Sequence, residues 1–124
     1  MLWDSNIIIY SSLPEHAFLQ QLSEDQPVYV SAISYLEVLG YHNLAESDQV
    51  YFERFFRAAT IFDISHTILE AAVTLRQQRK MSLGDALIAA TSLKHQLTLL
   101  SRNKGDFSHI ASLKITDPFE EREE

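Results

Sequence analysis

Pro27-Val28-Tyr29-Val30-Ser31 runs without a break into Ala32-Ile33-Ser34-Tyr35-Leu36-Glu37-Val38-Leu39. The first five residues are a short apolar run opened by proline, the pattern of a buried strand. The period then changes, because Ile33, Leu36 and Leu39 are spaced for one face of a helix over 34–41. The same succession, a short β-like run and then a longer helical one, recurs along the whole chain.

Upstream, Met1-Leu2-Trp3 is a very short apolar opening, and residues 5–12 carry Ile7, Ile8 and Ile9. Ser12-Leu13-Pro14-Glu15 reads as a helix start, with Ser in capping position and Pro near the first turn. That helix is expected to reach about Leu22, with Phe18, Leu19 and Leu22 on its apolar side. Downstream, Ser47 is placed to cap a helix carrying Val50, Tyr51, Phe55 and Phe56. Residues 60–64 form a short strand. Ser65 caps a long helix with Ile68, Leu69, Ala72 and Leu75 on one face, ended by Arg76, Arg79 and Lys80, whose charge suits a helix C-terminus. Residues 82–95 are the clearest helix, with Leu83, Leu87, Ala90 and Leu93 spaced for burial. A strand over 97–101, a turn over 102–106 and an edge strand over 113–116 follow. Strands alternating with helices predict one α/β domain, a three-layer α/β/α sandwich around a central parallel sheet of four to five strands. The domain is expected over 1–117, followed by an acidic tail over 118–124 that is expected to be disordered.

Composition narrows the chemistry. A chain of 124 residues fits one domain and buries a sizeable core without staples. With no Cys there are no disulfides, thiolate zinc sites or Cys nucleophiles, which fits a reducing cytoplasm. Three isolated glycines, Gly40, Gly84 and Gly105, cannot build a phosphate-cradling loop or a dinucleotide fingerprint. The start lacks the basic region of a signal peptide, and no apolar run is long enough for a membrane span. Only three residues precede Asp4, short for a central strand, so either the first strand is clipped or the true start lies upstream. The formal net charge of -7 argues, at first sight, against a nucleic-acid substrate.

Four of the acids occupy one kind of place. Asp4 directly follows the first strand, Glu37 lies in the first turn of the helix after the second, Asp85 in the first turn of the 82–95 helix, and Asp106 ends the turn after the 97–101 strand. In open parallel sheets the loops beyond the carboxyl ends of the strands converge on one crevice. Carboxylates brought together there repel each other by about 4 kcal/mol per pair at 4 Å and an effective dielectric near 20, unless protons or cations neutralise them. Oxygen ligands with no Cys and no nearby His select a hard ion, Mg²⁺ or Mn²⁺, over zinc. Such ions support phosphodiester hydrolysis. Each acid also has a plainer reading. Ser34 and Glu37 have the spacing of a capping box, as do Ser82 and Asp85. Asp4-Ser5-Asn6 fits an Asx-turn, and Asn103-Lys104-Gly105-Asp106 a surface turn. Spacing alone leaves both readings open, while the joint placement favours a site.

Four segments carry a resemblance. They are Asp4-Ser5-Asn6-Ile7-Ile8-Ile9-Tyr10, then Ser31-Ala32-Ile33-Ser34-Tyr35-Leu36-Glu37-Val38-Leu39, then Gly84-Asp85-Ala86-Leu87-Ile88-Ala89-Ala90-Thr91, and Ser101-Arg102-Asn103-Lys104-Gly105-Asp106-Phe107. In this order they resemble a PIN-domain ribonuclease, and most of all the VapC-type toxins of bacterial type II toxin–antitoxin modules. The third segment is the most specific, and the match runs over roughly residues 1–117. Ser5 stands where the family usually has Thr and keeps the hydroxyl, as does Ser101. The resemblance implies Mg²⁺- or Mn²⁺-dependent endonucleolytic cleavage of RNA. It makes Asp4, Glu37, Asp85 and Asp106 the metal-binding acids, with Asp4 and Asp85 foremost as direct ligands. Ser101 and Asn103 would support the site by hydrogen bonds, with Asn6 a further supporting candidate. It also implies a homodimer and a cognate antitoxin protein that presents a basic residue to the carboxylates.

Other residues read more plainly. His16, His42, His66, His95 and His109 show no metal-like spacing, and there is no nucleophile elbow. Tyr51, Phe52, Phe55 and Phe56 read as core or as a dimer or antitoxin contact rather than a base-stacking platform. Tyr35 and Tyr41, near Glu37, read as buried in preference to touching RNA. Arg76, Arg79, Lys80 and Arg102 are candidate substrate contacts, although a helix end such as 76–80 is usually just solvated. Two rival functions stand beside the nuclease: a non-catalytic PIN-like module that holds metal or a partner, and a phosphoacceptor receiver. The receiver lacks its lysine at the end of the last core strand and its acidic pair near the first. The charge also resolves. The four candidate acids contribute -4 and residues 120–124 contribute -3, which leaves the rest of the chain neutral.

Overall fold

Leu2–Trp3 forms the central strand β1, and the sheet is built outward from it in both directions. The computed structural model describes residues 1–120; residues 121–124 lie outside the described residues. After β1 come helix α1 (Ser5–Ser11), a 3-10 turn (Pro14–His16), α2 (Ala17–Asp25), strand β2 (Tyr29–Ser31) and α3 (Ala32–Leu39). Next are α4 (Glu46–Ala58), β3 (Thr60–Phe62), α5 (His66–Gln78), α6 (Leu83–His95), β4 (Leu99–Leu100), α7 (Lys104–Phe107) and β5 (Ile115–Thr116). Every strand pair is parallel, in the order β3-β2-β1-β4-β5. The expected three-layer sandwich is therefore borne out, with five strands.

Alternation along the short strands divides the core in two. Leu2 and Leu99, paired across β1 and β4, face a cluster with Ile68 of α5, Ile88 and Ala89 of α6, and Phe107 of α7. Their neighbours Trp3 and Leu100 face the opposite layer, where Ile7 and Ile8 of α1, Leu19 of α2, Val38 of α3 and Phe52 and Phe56 of α4 pack together. Both faces are buried at the central strands β1 and β4, which are apolar at every position, whereas the edge strands β3 and β5 are more exposed and admit Thr60 and Thr116.

Helix starts explain most of the differences from the sequence reading. Ser65 and Ser82 cap as expected, their hydroxyls accepting from the Ile68 and Asp85 amides. Ser12 instead ends α1 and donates to the Ile9 carbonyl, and the 3-10 turn at Pro14 precedes α2. α3 begins at Ala32 because Ser31 caps it, accepting from the Ile33 amide, so Ser34 is a buried residue inside the helix. Ser47 lies within α4, whose cap position is Ala45; Glu46 and Asp48 in the first turn suit the helix dipole. The expected turn at 102–106 contains a one-turn helix, anchored by the buried Phe107. The strands are shorter than expected, because pairing stops where the chain turns into the helices.

Chain ends and connections are tied down. Arg76 Nε donates to the Met81 carbonyl at 3.1 Å, so this side chain clasps the α5–α6 connection instead of being merely solvated. Phe119 packs edge-on against Tyr10, His16 and Phe18, and Lys104 pairs with Glu120 at 2.8 Å. The chain thus stays packed past residue 117, and the rest of the expected tail, 121–124, lies outside the described residues. No helix among the described residues is long and apolar enough to cross a membrane.

Gln96 closes α6 in the left-handed region at φ 56°, where a side chain is strained and glycine is not. Gln96→Gly is therefore expected to stabilise the fold by about 0.5–1 kcal/mol, read as a higher urea midpoint. A lower midpoint would show that the Gln96 side chain contributes more than the strain costs.

Candidate active site

The chain lays down β1, β2 and β3 toward one side, then crosses back to place β4 and β5 on the other. The order reverses between β1 and β4, and at such a switch point the loops leaving the two strands diverge and open a crevice. Asp4 follows β1 and Ser101 follows β4, so both lie at that opening.

Asp4 is only 4% exposed. It holds the N-cap position of α1 with no side-chain cap bond, so the Asx-turn reading does not describe it. Its Oδ2 accepts a 2.8 Å hydrogen bond from Ser101 Oγ, and Ser101 Oγ accepts in turn from the Asn103 amide at 3.0 Å. Burial pushes the Asp4 carboxyl up to about 6; the charges of Asp85 and Glu37 add to the rise, and hydrogen bonds from Ser101 and the Ser5 backbone oppose it.

Glu37 reaches the same place from α3. Its Oε1 accepts from Ser5 Oγ at 2.8 Å, and Ser5 Oγ also stands 2.8 Å from Ser34 Oγ. The glutamate is thus tied to α1 rather than turned back on its own helix, so the capping-box reading fails for Glu37. A Cβ added at Gly84 would stand 2.6 Å from Glu37 Oε2. Only a glycine at the start of α6 lets the carboxylate come so close.

Asp85 lies half-buried in the first turn of α6, with Ser82 as its hydrogen-bonding neighbour. Burial raises its carboxyl above the usual range, and the charges of Asp106 and Glu37 raise it further. Asp106 is exposed on α7. Asp4, Glu37 and Asp85 are therefore within electrostatic reach of one another, and Asp106 joins them through Asp85. They do not close up: among the described residues, no three His, Cys, Asp or Glu side chains meet as a ready ligand set. Carboxylates without a counter-charge repel, and this open arrangement is what that repulsion favours.

The donor chemistry fits a hard divalent ion: carboxylates backed by serine hydroxyls, with no thiolate or imidazole among them. The glycine cradle beside Glu37 and the rise at Asp4 and Asp85 fit it too, since a cation would relieve the crowding of charge at each. Of the supporting candidates, Ser101 holds Asp4. Asn103 contributes its backbone amide, and Asn6 is exposed and makes no side-chain hydrogen bond among the described residues. Ser5, Ser34 and Gly84 are contributors that spacing did not assign; Ser5 and Gly84 each sit directly beside an aspartate, which was the available signal. Arg79 and Lys80 line a cavity with Ser82, Asp85 and Asp106, while Arg102 and Lys104 line another with Asn103, Asp106 and Asp117. Tyr35 and Tyr41 are exposed, contrary to expectation: Tyr35 meets Phe56 at an angle of 67° from the surface of α3, and Tyr41 follows the end of that helix. Phe52, Phe55 and Phe56 are core, as read.

An α/β sandwich with a cluster of carboxylates at its switch point defines a class of acidic-crevice domains. The PIN domain family matches residues 1–113, and the chain belongs to that family. It is similar over 94% of its length to a chain from a toxin–antitoxin complex of Klebsiella pneumoniae, with 32% identity, a TM-score of 0.76 and 96% of that chain covered. The fold is shared with VapBC2 from Rickettsia felis bound to a promoter DNA fragment, at 20% identity and a TM-score of 0.76 over 93% of this chain and 96% of that one. It is shared equally with FitAcB from Neisseria gonorrhoeae, at 22% identity and a TM-score of 0.75 over 95% and 97%. No curated protein sequence matches the chain. The resemblance carried by the four sequence segments is borne out.

Two outcomes follow from the geometry. The folded state holds a proton on Asp4 that the unfolded chain gives up near the ordinary aspartate value of 3.8, so stability falls as pH rises from about 4 to about 6 and then levels off. A rise from 3.8 to about 6 amounts to about 3 kcal/mol. Asp4→Asn is expected to be more stable than the parent at pH 7.5 in EDTA, with the difference gone near pH 4, as urea titrations would measure. A parent at least as stable at pH 7.5 would refute the burial penalty. Gly84→Ala is expected to fold normally, since alanine suits a helix, yet to displace Glu37 and lower Mn²⁺ affinity about tenfold by calorimetry. Unchanged affinity would separate Glu37 from the site.

Proposed function

We propose that this chain is a cytoplasmic Mg²⁺- or Mn²⁺-dependent endoribonuclease, the toxin of a type II toxin–antitoxin pair, working as a homodimer and restrained by an antitoxin protein. The observation that carries the proposal is the buried Asp4 carboxylate at the switch point, facing the charges of Asp85 and Glu37. A fold sustains a penalty of that kind where something of opposite charge arrives. The kinship with a toxin–antitoxin complex chain at 32% identity supports the biological setting. Large apolar side chains left exposed on α3 (Leu36), α5 (Val73) and α6 (Leu83) support contact with protein partners.

Asp4 and Asp85 would hold the ion directly, with Glu37 and Asp106 completing the acidic set. When bound, a divalent ion lowers the pKa of water and stabilises charge on a phosphodiester's leaving oxygen. The chain's own residues supply the positioning. Ser101 fixes Asp4 through Oδ2, and Ser5 fixes Glu37 through Oε1. Asp106 belongs to both flanking cavities, so a strand of RNA crossing the acids would have Arg79 and Lys80 on one side and Arg102 and Lys104 on the other. Arg76 is engaged with the Met81 carbonyl and serves the fold rather than the substrate.

The exposed apolar side chains of Leu36, Val73 and Leu83 suit equally a second reading, a PIN-like module that binds metal or a partner without turnover. One experiment decides. Purified protein incubated with total RNA and tRNA is expected to cleave in Mg²⁺ or Mn²⁺ and to stop in EDTA, with Asp4→Asn and Asp85→Asn reduced about 100-fold or more, beyond the loss typical of a supporting residue. Cleavage that survives EDTA and both substitutions would overturn the proposal, and calorimetric Mn²⁺ binding with no cleavage of any RNA would establish the second reading.

A further inference from the structure

Arg102 follows Ser101 out of β4 and lies at the mouth of the acidic crevice, yet it makes no ion pair among the described residues. Its guanidinium instead lies over aromatic rings, with Cζ 4.1 Å from the Phe119 centroid and 5.7 Å from that of Tyr10. Both distances are inside the range of about 6 Å at which a ring face attracts a cation. Phe119 is itself held by several neighbours. Tyr10, His16 and Phe18 meet it edge-on at 5.8, 4.9 and 5.2 Å, and Asp117 Oδ1 accepts from its amide at 2.8 Å.

Ring faces hold a guanidinium in place without using its N–H donors, whereas a carboxylate would consume them. A cation held in this way, exposed, in a chain of net charge -7 and beside four acids, keeps its fork open for an anion. The neighbouring cavity, about 370 Å³, is walled by Arg102, Asn103 and Lys104 and by the acids Asp106, Asp117 and Glu120. Glu120 is engaged by Lys104 and Asp117 by the Phe119 amide, so an anion entering there meets Arg102 beside Asp106, one of the candidate metal ligands. The neighbouring cation is less available, since Lys104 pairs with Glu120.

We propose that Phe119 is a positioning residue for Arg102, and that the guanidinium so held meets a backbone phosphate of the RNA strand adjacent to the scissile one. This rests on the nuclease reading. It assigns to the C-terminal segment a part in substrate binding: the last packed aromatic side chain of the fold sets the direction of a cation that leaves the end of β4, well before it in the chain.

The test compares the parent with Arg102→Ala, Phe119→Leu and Phe119→Tyr. Phe119→Leu keeps an apolar side chain but removes the ring face; Phe119→Tyr keeps the ring. Binding of a labelled single-stranded RNA is measured in EDTA over a salt series, and KM and kcat in Mn²⁺. Arg102→Ala is expected to lower the slope of log affinity against log salt by about one and to raise KM about tenfold. Phe119→Leu is expected to raise KM about three- to tenfold with kcat within about twofold, and Phe119→Tyr to restore the parent value. The Arg102 Nε–H proton resonance, shifted by the ring in the parent, is expected to move back in Phe119→Leu and not in Phe119→Tyr. Parent KM and salt slope in Arg102→Ala, or parent KM in Phe119→Leu, would overturn the proposal while leaving the nuclease reading intact. A parent protein that neither binds nor cleaves RNA would overturn both.

Discussion

A carboxylate buried where two strands part is the constraint around which the rest of this structure is arranged. Asp4 cannot move away from the crevice, because β1 is two residues long and paired on both sides, and its own amide donates to the Leu100 carbonyl at 3.0 Å. It cannot be fully solvated either, because α1 begins immediately behind it and carries Ile7 and Ile8 into the core. What the chain supplies is the Ser101 hydroxyl and the Ser5 backbone. Neutral hydrogen bonds of this kind do not offset the desolvation of a carboxylate that other acids also repel, and the raised proton affinity is the measure of that deficit.

The remaining acids are brought to Asp4 by independent devices. A serine network between α1 and α3 draws Glu37 inward, a side-chain cap and a glycine start α6 so that Asp85 and Glu37 can share space, and a one-turn helix anchored by Phe107 presents Asp106. Each device is local and small. Together they gather four residues separated by up to about a hundred positions in the chain, at the one place where the strand order reverses.

Much of this was legible beforehand. The strand-to-helix succession predicts the layers, because strands buried on both faces are apolar, as Leu2-Trp3 and Leu99-Leu100 are at the centre of the sheet. The four acids could be placed at strand ends and helix starts from connectivity alone. What spacing could not reveal was which hydroxyl serves which purpose. Ser31 and Ser34 both lie close to the start of α3, and propensity does not say that one caps the helix while the other bonds to α1; that choice is made by tertiary packing. The exposure of Tyr35 and Tyr41 was illegible for the same reason, since an aromatic residue on a helix reads as core until the opposing surface is known. Nor could any local pattern show that Phe119 would fold back on Tyr10, a contact across almost the entire chain.

Trp3 is the single tryptophan of the sequence, and it sits in the core beside the crevice, 2% exposed, one peptide bond before Asp4 and 5.4 Å from the Phe55 ring. The molecule therefore contains its own optical reporter. Indole emission depends on the packing and polarity around the ring, so any loosening of the layer formed by α1, α2, α3 and α4 writes into the colour and intensity of one fluorophore, with no label attached and no second tryptophan to dilute the signal.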